Sequence, residues 1–101
     1  MNVQINVTDE QITVCLTGEL DHHSAKQVRE EIDRALESNR PNSLVLDFKN
    51  VGFMDSSGIG LVMGRYKLMQ SFGGSVRVAN TPGHIKKVMK LAGLDKLAQI
   101  D

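Results

Sequence analysis

The sequence predicts one α/β domain built on a mixed, mostly parallel sheet, with an antiparallel strand at the N-terminal end and helices packed on the sheet. Apolar residues alternate with polar ones over the first sixteen positions, which is typical of two strands joined by a turn. Strand-like and helix-like segments then alternate, and this order favours parallel strands joined by right-handed crossovers. Since 101 residues with 41% hydrophobic content suffice for one core, we expect a single domain over residues 1–101.

The first elements are an antiparallel hairpin and a surface helix. The hairpin's apolar residues flank a polar turn at 8–10, and they are Val3, Ile5, Val7, Ile12, Val14 and Leu16. We expect Gly18 to end the second strand. Ser24 and Gln27 have the spacing of a capping box, which predicts a helix start at this point. One face of this helix carries apolar residues, namely Ala25, Val28, Ile32, Ala35 and Leu36.

The next strand and helix form the predicted centre of the fold. Residues 44–48 are almost continuously apolar, which predicts a central strand covered on both faces. The helix from Ile59 to Phe72 is apolar all round, and its polar exceptions are Arg65, Lys67 and Gln70. Three glycines lie at the start and in the first half of this helix. Each costs up to about 1 kcal/mol of helix stability relative to alanine. Gly58, Gly60 and Gly64 are therefore expected to permit close packing on the sheet, or to leave the helix start open to a partner.

The C-terminal third repeats the alternation of strand and helix. Val76 and Val78 predict another strand. Thr81 is the expected cap of the following helix, with Pro82 at its first position. Residues 97–100 form a short last strand in this interpretation.

The composition limits the possible partners. Twelve basic residues balance twelve acidic ones, so there is no charge excess for binding nucleic acid or an anionic membrane. No apolar run approaches the ~20 residues that a membrane span requires. One cysteine and no leader-like N-terminus favour the cytoplasm. We expect a protein or small-molecule partner and no cofactor.

The segment Asp55-Ser56-Ser57-Gly58 joins the predicted central strand to its helix. A hydroxyl at a helix start can accept from free backbone N–H groups, and an anion is also favoured there. Each serine could thus be a helix cap or a phosphate carrier. Asp21 follows the preceding strand, and the two loops form one surface if the strands are neighbours, because functional loops gather at the carboxyl ends of parallel strands.

The sequence offers little for catalysis. A serine hydrolase would need one of His22, His23 or His84 near Ser56, and the G-x-S-x-G pattern is absent. The adjacent histidines lack further ligands for a metal site, and no phosphate-binding glycine motif is present. What remains is a docking surface with a hydroxyl, an acidic loop and an exposed Met54. Phosphorylation would add about −1.5 to −2 charge and could disrupt an interface there without unfolding the domain.

Four motifs in this order resemble the anti-sigma-factor antagonists, whose fold is the STAS domain. They are Gly18-Glu19-Leu20-Asp21-His22-His23, Phe53-Met54-Asp55-Ser56-Ser57-Gly58-Ile59-Gly60, Gly64-Arg65-Tyr66-Lys67 and Gly73-Gly74. The resemblance covers essentially the whole chain and is closest to the sporulation members of the family. It implies a protein that is not an enzyme. Its unphosphorylated form would bind an anti-sigma factor that is also a serine kinase and would so free the sigma factor.

The resemblance also implies site residues and a cycle. Ser56 corresponds to the phosphorylated serine, with Ser57 as the fallback, and a metal-dependent serine phosphatase would restore the hydroxyl. The implied partner-binding residues are Glu19, Asp21, Met54, Asp55, Ser57 and Gly58. Family members continue into a further C-terminal helix, whereas this sequence stops at Asp101, so no function of that helix is carried over from the resemblance. The alternative is a ligand-sensing or scaffolding module of the same fold, in which the serine is only a helix cap.

Overall fold

A computed structural model describes residues 1–101, and its five strands form one sheet in the order β1-β2-β3-β4-β5. The strands are β1 (Asn2–Val7), β2 (Gln11–Leu20), β3 (Ser43–Met54), β4 (Ser75–Ala79) and β5 (Gln99–Ile100). The β1 strand is antiparallel to β2, and every other pair is parallel. The predicted mixed sheet, with β3 at its centre, is therefore confirmed.

Three helices connect the parallel strands. They are α1 (Ala25–Asn39), α2 (Ser56–Ser71) and α3 (Gly83–Leu91), and a short 3-10 helix at Leu94–Lys96 precedes β5. None of them is long and apolar enough to cross a membrane. The apolar face predicted for α1 is confirmed, since Val28, Ile32 and Leu36 are buried.

All three helices pack on the same face of the sheet, because the strands advance in one direction and parallel crossovers are right-handed. Their buried residues share one core with alternate strand residues, namely Ile12, Val14, Leu16, Leu44, Leu46, Phe48, Val76 and Val78. The sequence predicts that β3 is covered on both faces, but helices cover only one of them. Val45 points away from the helices and is still only 7% exposed, between its strand neighbours Thr13 and Arg77.

Two predicted boundaries and one predicted capping hydrogen bond differ in the structure, although Ser24 is the N-cap residue of α1 as expected. Gly18 does not end β2 but lies within it, paired with Val51, at φ 118° between two shifts of register. Ser24 makes no capping hydrogen bond to α1, because its hydroxyl donates to the Glu19 carbonyl at 2.9 Å. The last helix begins at Gly83, so Pro82 occupies the cap position and Thr81 lies one residue earlier.

The α1–α2 contact contains a buried ion pair that the helix patterns do not predict. The Arg65 side chain is 7% exposed, and its Nε lies 2.8 Å from Oδ1 of Asp33, too poorly aligned for a hydrogen bond. Arg65 Nη1 is buried without any partner. Burial raises the pKa of Asp33 and lowers the pKa of Arg65, and the attraction between the two groups opposes both shifts.

The glycines of α2 have different surroundings. A Cβ at Gly58 would overlap Met54 and lie 3.2 Å from Leu20 Cδ2, so this position requires glycine for packing. At Gly60 and Gly64 a Cβ would meet nothing within 4 Å. The predicted close packing therefore applies to Gly58 alone, and it involves side chains rather than another backbone.

Candidate functional site

The start of α2 is capped by Asp55 and not by a serine. Asp55 has extended backbone angles, and its Oδ1 accepts a hydrogen bond of 2.8 Å from the Ser57 N–H. Its carbonyl also accepts from the Gly58 N–H at 3.0 Å. Ser56 is therefore the first residue of the helix and Ser57 the second. The expectation that a serine caps this helix, which the ligand-sensing or scaffolding alternative assumed, is wrong, because the Asp55 carboxylate fills that role.

Residues 55–58 are called the acceptor loop here, because they include Ser56, the predicted phosphorylation site. Asp55 also joins this acceptor loop to the loop between β2 and α1. Its N–H donates to the Leu20 carbonyl at 3.2 Å, and its Oδ2 accepts from the His22 N–H at 3.3 Å. These bonds form because β2 and β3 are parallel neighbours, with Leu20 opposite Met54. The expectation that the two loops form one surface is therefore confirmed.

Asp21 organises the β2–α1 loop. Its Oδ1 accepts from the His23 N–H at 2.9 Å and from the Ser24 N–H at 3.1 Å. Its own N–H donates to the Ser24 hydroxyl at 3.2 Å. The bonds to Asp21 involve Oδ1, which leaves Oδ2 available to a partner.

The site is acidic at neutral pH. Hydrogen bonding from the Ser57 N–H, with smaller effects of the Ser57 side chain and His22, lowers the pKa of Asp55 despite partial loss of water. Partial burial raises the pKa of Asp21, but hydrogen bonds from the Ser24 and His23 N–H groups outweigh it and bring the pKa below its usual value. Both carboxylates are thus charged at pH 7, and the exposed Glu19 lies beside them.

The two serines, which sequence reasoning could not separate, differ in their surroundings. Ser56 is exposed, whereas Ser57 is half-buried and its side chain interacts with the Asp55 carboxylate. Ser57 also borders a groove of about 320 Å³ between α1 and α2, lined on the α1 side by Lys26 and Arg29. The hydroxyl with the freer approach from solvent is that of Ser56.

Two of the predicted partner-binding residues lie below the surface. Gly58 is buried, and Met54, expected to be exposed, is half-buried beneath it. The apolar residue that the site does expose is Phe53, which is 49% exposed and was missed as a site residue. The available signal was strand alternation, because Phe53 and Met54 must point to opposite faces.

His22 is the histidine that contacts this site, and it faces the Asp55 carboxylate. His22 Nδ1 lies 3.7 Å from Asp55 Oδ2, and the His22 side chain is 75% exposed. A hydrolase requires such a base to be hydrogen-bonded to the serine instead. No group of three His, Cys, Asp or Glu side chains is arranged to hold a metal ion.

Comparison with known proteins agrees with this geometry. The STAS domain family model matches residues 2–101. The anti-sigma F factor antagonist of Paenibacillus polymyxa is 38% identical over 99% of this chain and 87% of its own. The unphosphorylated anti-sigma factor antagonist SpoIIAA superposes with a TM-score of 0.86 at 33% identity, covering 99% of this chain and 88% of SpoIIAA. The Bacillus cell fate determinant SpoIIAA in its phosphorylated form gives 0.78 at 33% identity, with coverages of 99% and 91%.

These matches extend over almost the entire chain and include the acceptor loop and the acidic loop. They make the chain a regulatory binding protein and not an enzyme. The chain belongs to the STAS domain family, in the group of the anti-sigma factor antagonists.

Proposed function

We propose that this chain is an anti-sigma factor antagonist that is controlled by phosphorylation of Ser56. The unphosphorylated form binds an anti-sigma factor with serine kinase activity and thereby frees the sigma factor in the cytoplasm. That kinase then phosphorylates Ser56, and a metal-dependent serine phosphatase reverses the modification. The observation that carries the proposal is an exposed serine at a helix start, bonded through its neighbour Asp55 to an acidic loop.

Electrostatics explains how one phosphate could separate the partners. The group adds about −1.5 to −2 charge next to Asp55 and on the same surface as Asp21 and Glu19. A partner that accommodates this acidic surface must then desolvate the phosphate or leave it without counter-charges, and either effect weakens binding. The fold itself tolerates the phosphate, because the N-terminal end of α2 favours negative charge.

The relatives support this proposal in two ways. The curated relative from Paenibacillus polymyxa is named an anti-sigma F factor antagonist. SpoIIAA, at 33% identity, has been solved in unphosphorylated and phosphorylated forms. SpoIIAA, which has this fold, has therefore been observed in both states, and the proposed cycle requires two such states of this chain.

The modification is tested by incubating the chain with the anti-sigma factor of the same organism and Mg-ATP, followed by peptide mass spectrometry. We expect one phosphate on Ser56, none in Ser56→Ala, and normal phosphorylation in the matched control Ser57→Ala. Phosphate on Ser57 instead would select the fallback acceptor. Phosphate found only outside residues 55–58 would reject the assigned site.

Binding is tested separately, with the anti-sigma factor loaded with ADP so that no phosphate is transferred. Ser56→Asp should bind more weakly than the unmodified chain, and the fully phosphorylated chain more weakly still. Equal affinity of the phosphorylated and unmodified chains would contradict the proposed switch.

A further inference from the structure

Phe53 is an aromatic side chain placed at the edge of the acceptor surface, on the face of the sheet without helices. It is paired with Glu19 in the register of β3 and β2. The following pair, Met54 and Leu20, points toward the helices, since Leu20 is buried in the core and Met54 packs against Gly58. Because successive strand residues point to opposite faces, Phe53 and Glu19 lie side by side on the other face.

Phe53 is less well packed in the fold than the other two phenylalanines. Phe48 is fully buried, and Phe72 is half-buried with the Arg40 guanidinium 4.8 Å from its ring centre. Phe53 is 49% exposed and is not a member of the core. An isolated exposed apolar residue is ordinary, but aromatic side chains, phenylalanine included, are enriched in protein–protein interfaces relative to the rest of the surface.

The position of Phe53 is continuous with the acceptor loop. Phe53 is the second-last residue of β3, two residues before Asp55 and three before Ser56. The most exposed of the large apolar residues, Leu91 at 81%, belongs to α3 among Lys86, Lys87 and Lys90. That face of α3 lacks this continuity with Ser56.

We propose that the anti-sigma factor covers Phe53 with an apolar pocket and places a basic side chain against Glu19. Phe53 and Glu19 lie on neighbouring strands, whose backbones are about 5 Å apart. This inference rests on the proposed function and extends it. The interface would run from the acceptor loop, over the carboxyl ends of β2 and β3, onto the face without helices. Glu19 supplies a charge that selects a basic neighbour, and Phe53 supplies the apolar area.

The test is the affinity of the unphosphorylated chain for the purified ADP-loaded anti-sigma factor, measured by titration calorimetry. Phe53→Ala should bind roughly 30-fold more weakly, the change that corresponds to the loss of one hot spot of about 2 kcal/mol. Phe53→Leu, which keeps most of the apolar volume, should recover much of the affinity. The matched control Leu91→Ala removes a more exposed apolar side chain and should bind as the unmodified chain does.

A photo-crosslink tests the contact even if a truncated side chain disturbs the fold. Benzoylphenylalanine in place of Phe53 should crosslink to the anti-sigma factor on irradiation, and the same group in place of Leu91 should not. The inference is overturned if the unmodified chain binds while Phe53→Ala binds equally well, or if position 53 gives no crosslink. If the unmodified chain itself does not bind the anti-sigma factor, the proposed function fails, and this inference fails with it.

Discussion

A single methyl group added to α2 should have opposite effects on stability at Gly58 and Gly60, two positions separated by one residue. At Gly58 the added Cβ would overlap Met54 Cγ and lie 2.5 Å from its Sδ. At Gly60 it would meet nothing within 4 Å. The two substitutions therefore make the same chemical change in the same helix and differ in the space around it.

The expected magnitudes follow from these distances. Alanine is more favourable than glycine in a helix by up to about 1 kcal/mol, so Gly60→Ala should raise the free energy of unfolding by about 0.5–1 kcal/mol. Gly58→Ala gains less, because it lies in the first turn, and it must displace Met54 against the nearby Leu20. Overpacking of this kind costs about 1–3 kcal/mol, so we expect a net loss of about 1–2 kcal/mol.

Urea denaturation followed by circular dichroism at 222 nm measures both values. For a domain of this size, each 1 kcal/mol corresponds to a shift of about 4–8 °C in the thermal midpoint, which gives an independent check. Gly64→Ala, also in open space, should behave as Gly60→Ala does. If Gly58→Ala proved as stable as Gly60→Ala, the account of packing under the acceptor loop would be refuted.

Two further predictions concern charged groups. The lowered pKa of Asp55 means that its contribution to stability is complete above the unfolded-state value of about 4 and is lost as the pH falls through its lower folded-state pKa. The thermal midpoint of the unmodified chain should therefore fall more steeply below pH 4 than that of Asp55→Asn, and equal slopes would contradict the capping role. Asp33→Ala should lower the free energy of unfolding by about 3 kcal/mol, because it leaves Arg65 buried without its counter-charge while Asp33 itself is 27% exposed. Asp33→Leu combined with Arg65→Met should recover most of that loss in urea denaturation, and a loss below about 0.5 kcal/mol in Asp33→Ala would argue against the pair.

Local pattern was sufficient to predict most of the fold. Apolar residues recurring with periods of two and 3.6 residues predicted the hairpin and α1, because one face of each element is buried and the other is exposed to solvent. The continuous apolar run at residues 44–48 correctly placed β3 at the centre of the sheet. It did not show that the helices cover one face only, because Val45, on the other face, is still only 7% exposed.

The sequence predicted where the candidate site lies but not how its side chains are arranged. The order of the elements placed the loops with Asp21 and Ser56 at the same edge, and this required only that β2 and β3 be neighbours. Which residue caps α2 depended on a competition between adjacent side chains, and the Asp55 carboxylate occupies that position. Met54 was predicted to be exposed, but Phe53 is the exposed residue of the two. Which of them faces the core depends on the register of two strands that are distant in sequence.

The sequence by itself determined the order of strands and helices, the neutral charge, and the place of Ser56 and Ser57 at a strand-to-helix junction, because these follow from composition and from contacts within a few residues. Only the tertiary structure decided that the helices share one face, that Arg65 is buried against Asp33, and that Ser56 is freer than Ser57. These features depend on which elements become neighbours, and that is set by packing and register between segments far apart in the chain.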